Sequence, residues 1–406
     1  MRSFILPTIL CAMALCVSQT ASAQLINLKT APVATGDQFM VTPSVNIGMG
    51  NLSIALDDTL ADPFVNPAKT NRIDGIYAYM MPLFYHITHG NGAAKTLSVG
   101  GLTGGKQWFG GLGIAVQDMK PGNSNSNLLK DQSANNNYVW LLGGKKLDET
   151  TSLGAQFSWS GLEAMGGVNS LYPNQQVDQH GHQLDVRIGL DHKISQKANY
   201  EILVLFHRSD MTYDLGSQST CIIEPWLCYA TVDYYPNYYS TPTIAPNQNK
   251  DITNTWGLHV GYNQAVGAEG WKLGGIATMN YKTHPKIPNY ELMNIPRDPG
   301  NSWAFDVGLG TSHISKDHVT FGTDLIIEPI WSTTWANVQQ NISNPVGSVQ
   351  MSKGYKTVKN RFSFLNSIIK TGLGWKGDRM LLQTGIQAKT YRYTLKQQNF
   401  VQHRDL

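Results

Sequence analysis

The sequence predicts an all-β protein, an antiparallel transmembrane β-barrel of about fourteen strands. Three observations carry that expectation. Apolar residues alternate with polar residues or glycine over runs of about ten, the period of a strand and not of a helix. Short turns alternate with long polar loops through the middle of the chain, as in bacterial outer-membrane barrels with tight periplasmic turns and long external loops. Tryptophans gather at both ends of the strands: Trp140, Trp159, Trp256, Trp303 and Trp331 beside long loops, and Trp108, Trp271 and Trp375 beside short turns. Two aromatic girdles, one per membrane interface, have that distribution.

Composition narrows the classes further. Of 406 residues 15% are charged and the formal net charge is +3, so no basic footprint for nucleic acid is present. After the leader there is no run of about 18–20 apolar residues, which excludes a membrane-spanning helix.

Taken in order, the chain opens with a secretory leader at residues 1–23. Met1-Arg2 is a positive start, an apolar stretch follows, and Ala21-Ser22-Ala23 forms a small-residue cleavage site before Gln24. Leu15 before Cys16 is not the small residue a lipoprotein signal needs, so no lipid anchor is expected. Residues 24–74 form a separate segment, and residues 75–406 form the barrel. Candidate strands start near residues 75, 95, 107, 137, 150, 182, 198, 252, 270, 302, 317, 360 and 378. Barrels of this type have even counts, so a short fourteenth strand is expected in Gln397–Leu406, or an early one at residues 38–43. Turns at residues 147–150, 194–198, 265–270, 315–317 and 375–378 are short, and polar loops lie at about 120–136, 161–181, 214–252, 284–300 and 332–357.

The inward face mixes charges of both signs: Asp185, Arg187, Asp191, Glu201, His259, Lys272, Asp306, Asp324, Glu328 and Lys389. That is a hydrated, salt-bridged lumen, in which Arg187 or Lys272 is placed to meet an anionic head group. Leu203 and Leu205 add apolar surface to the interior, which suits an amphipathic substrate. Cys221 and Cys228 are close in sequence in an exported chain and are expected to form a disulfide. Asp178, His180 and His182 fall in a polar loop as a rim pair and not as a metal site; His207 and Ser209 lack a third orienting group. No catalytic residue, metal or cofactor is expected.

Residues 24–74 are too long for a turn and too apolar for a free tail. Asp62 before Pro63 and Asn66 before Pro67 can each start a short helical turn. Here Met49-Gly50, then Ala55-Leu56-Asp57-Asp58, then Asn66-Pro67-Ala68 stand in order just before the first strand. This set resembles the N-terminal signature of the long-chain fatty-acid transporter superfamily of outer-membrane barrels. Lys69 stands where that family has glycine. The resemblance covers about 25 residues and implies an N-terminal plug folded into the lumen. It also implies passive uptake of hydrophobic or amphipathic small molecules by a monomer surrounded by outer-membrane lipid. The barrel shuttle of the type IX secretion system shares the signature, so a protein-secretion role and a general porin are the rival readings.

Overall fold

The structure is a computed structural model. It describes residues 41–86, 92–121, 133–168, 176–215, 248–267, 270–283, 287–289, 295–298, 301–316, 318–337, 342–343, 350–351, 356–399 and 404–405. The expected leader and the Cys221–Cys228 pair lie outside the described residues.

One antiparallel sheet dominates. Its long strands are β1 (Gly75–His86), β2 (Gly92–Gly104), β3 (Trp108–Pro121), β4 (Ser133–Lys146), β5 (Thr151–Val168), β6 (Gln176–Ser195), β7 (Ala198–Leu215), β8 (Gln248–Ala265), β9 (Trp271–Thr283), β10 (Ser302–Ile314), β11 (Val319–Asn337), β12 (Lys356–Lys376) and β13 (Leu381–Asn399). Each pairs with the next in sequence order. This is the up-and-down order that short turns enforce, because a two-to-six-residue connection can only reach the adjacent antiparallel position. The expected fourteenth strand amounts to Arg404–Asp405, which pairs with Gln398 and Asn399 of β13. Residues 41–43, part of the alternative early strand, form a turn and irregular chain. Several strands run past the expected boundaries. His180 and His182 lie within β6, opposite Glu163 and Gly161 of β5, and not in a loop.

The two faces of the sheet are inverted relative to a water-soluble protein. Buried positions include Thr96, Ser98, Gln117, Asn136, Gln156, Ser160, Gln183, Asp191, Glu201, Ser312 and Asp324. Exposed positions include Val204, Leu258, Val260, Val307, Leu309, Leu325, Ile327 and Ile369. A soluble monomer rarely shows apolar patches of more than a few hundred Å². A polar-inside, apolar-outside sheet is stable when hydrocarbon surrounds it.

Aromatic rings bound this apolar band. Phe206 pairs with Trp256, Trp256 with Tyr281, Tyr281 with Trp303, and Trp303 with Trp331. The Phe206, Trp256, Tyr281 and Trp303 rings touch in sequence, with centroids 5.7 Å apart for Phe206–Trp256 and 4.6 Å apart for Tyr281–Trp303, and Phe305 bridges Trp303 to Trp331. At the other end the Trp271 ring stacks on His313 at 4.6 Å, and Trp108 and Trp375 are exposed. Ten residues of β10 separate Trp303 from His313; at about 3.4 Å per residue and a tilt of about 40° the band is about 26 Å tall, a bilayer core. Trp140 departs from the expected girdle. It points inward and is 7% exposed, because alternation in β4 places it on the face of Tyr138 and Leu142. Trp159 lies near the middle of β5 and faces out.

Residues 41–74 pack against the inner face. Gln383 of β13 and Tyr79 of β1 both touch this segment, as do strands between them. In a flat sheet thirteen strands at about 4.8 Å would hold those edges about 58 Å apart. The sheet therefore curls around the segment.

Candidate functional site

The N-terminal segment organises itself around Asp58. This 2%-exposed carboxylate accepts hydrogen bonds from Ser44 Oγ (2.6 Å) and from the backbone N–H groups of Val45 (3.2 Å), Asn46 (3.1 Å), Leu60 (3.0 Å) and Ala61 (2.9 Å). The irregular backbone leaves these donors without partners in regular structure, and one buried charge satisfies them together. Gly50 takes the left-handed conformation at φ 74° that ends the turn Ile47–Met49. Helix α1 (Asp62–Val65) carries Pro63 in its first turn, but Asp62 is its first helical residue and not its cap. Asn66 does cap the following 3-10 helix, Pro67–Arg72, by accepting from Ala68 N at 3.1 Å.

The segment is fastened to the wall around its circuit. Gln383 Nε2 donates to Val45 O (2.8 Å) and Lys370 Nζ to Asn51 O (3.0 Å). Asp324 accepts from Ser53 N (2.8 Å) and Ile54 N (3.3 Å), and Ser312 Oγ donates to Ala55 O (2.7 Å). Lys272 Nζ meets Asp57 at 2.5 Å. Asn66 Nδ2 donates to Glu201 Oε2 (2.8 Å) and Leu190 O (3.2 Å). Lys69 Nζ lies 2.7 Å from Glu201, and Arg72 Nη2 2.7 Å from Asp191. Apolar contacts fill the gaps: Ile54 packs on Ile276, Ile326 and Ile368, and Phe64 stands edge-on to Tyr79 and Trp140. The wall has glycine where the backbone comes closest. A Cβ at Gly310 would sit 2.6 Å from the Ile54 Cβ, and one at Gly189 would run into the Asn66 side chain.

Charge in this layer is arranged by distance. Lys69 has two carboxylates nearby, Glu201 at 2.7 Å and Asp62 at 4.0 Å. The closer one makes the ion pair. Burial dominates at Asp62 and raises it to about 6 in spite of Lys69. Burial pulls the Lys69 ammonium down, but Asp62 and Glu201 outweigh it and keep it charged. Burial also pushes Asp57 up, yet Lys272 and Arg72 hold its carboxyl below the usual range.

Beside Phe64 and Val65 lies a cavity of about 280 Å³. Val41, Ala61, Phe64, Val65, Tyr138 and Trp140 give it an apolar side; Gln156, Ser158, Ser160, Gln183, Asp185, Arg187 and His207 give it a polar one. Tyr138 and Trp140 stack with rings 4° from parallel. Arg187 belongs to both wall and segment. Its Nη1 donates to Phe64 O (2.8 Å) and Val65 O (3.3 Å), and its Nε to Asp185 Oδ1 (2.6 Å).

The candidate residues divide accordingly. Arg187 lines the cavity, but its donors are occupied by Asp185 and two carbonyls. Lys272 is held by Asp57 on the other side of the segment. Both cations therefore carry partners, Arg187 with little exposure and Lys272 in a pair that is 38% and 46% exposed. Asp185 belongs to the same strand as Arg187, whereas Phe64, Val65 and Asp57 belong to the N-terminal segment. Leu203 is buried and Leu205 packs where Gly257 leaves space, both facing inward. Lys389 lies in β13, paired with Ile368 of β12. Met49, Gly50, Asp57, Asp58, Asn66, Pro67 and Ala68 all lie in the segment's contacts with itself or the wall. Sequence reasoning missed Trp140, Gln156, Lys370 and Gln383. Their shared signal was an inward position in a strand, with inward glycines marking where the segment touches.

No family model matches the chain, and no curated protein does. Among solved structures the chain is similar to a monoaromatic hydrocarbon channel named CymD, with 11% identity, TM-score 0.41, and 89% of this chain and 98% of that one covered. It is also similar to the toluene transporter TodX of Pseudomonas putida (10%, 0.38, 86% and 96%) and to the ferric-catecholate import receptor Fiu of E. coli (10%, 0.39, 81% and 63%). Agreement at this level carries no functional weight, and the geometry of the segment and cavity has to carry it.

Proposed function

We propose that the chain is an outer-membrane β-barrel whose lumen is stopped by residues 45–72 and which passes small hydrophobic or amphipathic molecules passively. The observation that carries this reading is the shared ownership of the cavity. Phe64 and Arg187 form its wall and at the same time hold the plug in place. A molecule entering the cavity competes with the contacts that seat α1. Binding energy can thereby be coupled to plug movement without any external energy source. The inverted faces and the aromatic ladder support the membrane setting, and the ordered Met-Gly, Asp-Asp and Asn-Pro-Ala elements support membership of the fatty-acid transporter superfamily. The protein acts as a monomer, with outer-membrane lipid around it and no cofactor.

Planar-bilayer recording of the purified protein tests this. The intact chain is expected to show a closed baseline with rare openings, and deletion of residues 45–72 a large steady conductance. A large steady conductance in the intact protein overturns the plug. Stable co-purification with another envelope protein, together with an inert cavity, favours the secretion reading instead.

A further inference from the structure

Resting on the membrane-barrel part of that reading, we infer that the outward face of β12 and β13 holds a phosphate-bearing lipid headgroup at the long-loop end of the barrel. Parity fixes which residues face out. On β12 Lys370 and Asn366 turn inward to Asn51 O and Glu328, so the odd-numbered residues face out. On β13 Gln383 and Gly385 meet the N-terminal segment, so the even-numbered residues face out. The outward set includes Lys359 and Arg361 on β12 and Arg392 and Lys396 on β13; Arg361, Arg392 and Lys396 are exposed. Their height suits a headgroup. Trp331 of the aromatic ladder pairs with Ser363, and Arg361 stands two residues beyond, about 5 Å higher on a strand tilted by about 40°. Lys396 is the direct cross-strand partner of Arg361. Arg392 pairs with Leu365, two residues on the membrane side of Ser363, from where a long side chain reaches up to the interface.

Charge on this face is unbalanced. Like charges directly opposite in a ladder repel, as Arg361 and Lys396 do. Neither β12 nor β13 contains an aspartate or glutamate to offset that repulsion. The acids of neighbouring β11, Asp324 and Glu328, are turned inward to the N-terminal segment and to Asn366. Beyond this level the short strand Arg404–Asp405 adds one residue of each sign beside Gln398 and Asn399. By contrast Arg208 of β7, outward at the same end, has Asp210 at 3.9 Å. An anion bridging Arg361 and Lys396 turns a repulsive pair into two charge-assisted contacts. Phosphate matches both donors, because its oxygens accept the guanidinium fork and the ammonium together. The column below selects a lipid over phosphate in water: Leu365 and Ile369 are outward and exposed, ready to pack an acyl chain under the headgroup.

The test is native mass spectrometry of the full chain in a neutral detergent, titrated with bis-phosphorylated lipid A and with the same lipid stripped of both phosphates. The phosphorylated lipid is expected to bind about tenfold tighter or more, the range of one charge-assisted hydrogen bond. Inorganic phosphate is expected not to displace it, for want of acyl-chain contacts. Arg361→Gln/Lys396→Gln should lose the preference for phosphate, and Arg361→Lys/Lys396→Arg, which keeps both charges, should retain it. Lys193→Gln/Lys197→Gln, which removes exposed lysines at the short turn between β6 and β7, should bind like the parent. Heat-modifiable migration on gels confirms that each variant is folded; if the double glutamine variant fails it, Arg361→Gln alone is used. Equal binding of the two lipids, an equal loss in the Lys193/Lys197 control, or full displacement by inorganic phosphate overturns the inference. A parent chain without heat-modifiable migration overturns instead the membrane reading beneath it.

Discussion

On the proposed reading residues 45–72 stop the lumen, and replacing Glu201 with alanine tests whether its buried pair with Lys69 helps to keep it shut. Both side chains are buried, at 6% and 5% exposure, and 2.7 Å apart. Glu201→Ala leaves the Lys69 ammonium inside without its closest partner. Removing one partner of a buried pair costs about 3–5 kcal/mol. Asp62, 4.0 Å away, offers a second carboxylate, so the low end, about 3 kcal/mol, is the expected value. The cost falls on the seated plug only, because a displaced Lys69 is hydrated. At about 1.4 kcal/mol per tenfold, the displaced population should rise about 150-fold. Single-channel open probability in planar bilayers measures this directly. The double variant Lys69→Met/Glu201→Ala removes both charges and should return most of the way to the closed baseline. Two results would refute the reasoning: an open probability within threefold of the parent in Glu201→Ala, or a double variant as leaky as the single one.

Three further outcomes follow from the same contacts. Lys272→Ala should change open probability by less than about fivefold, since its pair with Asp57 is roughly half exposed and such pairs contribute at most about 1 kcal/mol; the same bilayer recording reads it. Asp62 gives a pH dependence of definite sign: its value of about 6 lies above the ordinary 3.8, so the proton stabilises the seated plug below about pH 4 and that support is lost as pH rises through 6. Openings should therefore become more frequent between pH 4.5 and 7 and lose that trend in Asp62→Asn, while an unchanged trend in the variant counts against the assignment. Gly310→Val forces a side chain onto Ile54 and should unseat the plug by about 1–3 kcal/mol, seen as raised conductance with unchanged heat-modifiable migration.

The wall was legible in the sequence and the contacts that fasten the N-terminal segment to it were not, and the difference is one of range. Strand starts read from alternation fall within a few residues of the observed ones at Gly75, Trp108, Thr151, Ala198, Trp271 and Ser302. Period-two patterning is local, and hydrocarbon outside with a polar interior amplifies it at every position. Whether an inward side chain is available to a ligand is a long-range matter. Arg187 and Lys272 were expected in a salt-bridged lumen, but nothing within their strands shows that Phe64, Val65 and Asp57 engage them. Trp140 read as a girdle residue because its nearness to a long loop outweighed its parity with Tyr138. Two features could have been weighed better. Inward glycines such as Gly189 and Gly310 left room for a backbone, not merely a weak polar face. Lys69, a charged residue where the resembled family has glycine, needs a buried carboxylate in the wall, and the inward Glu201 supplies it. A departure from a motif is then as informative as a match: glycine there asks for nothing, whereas a buried lysine needs a partner, and Glu201 at 2.7 Å is that partner.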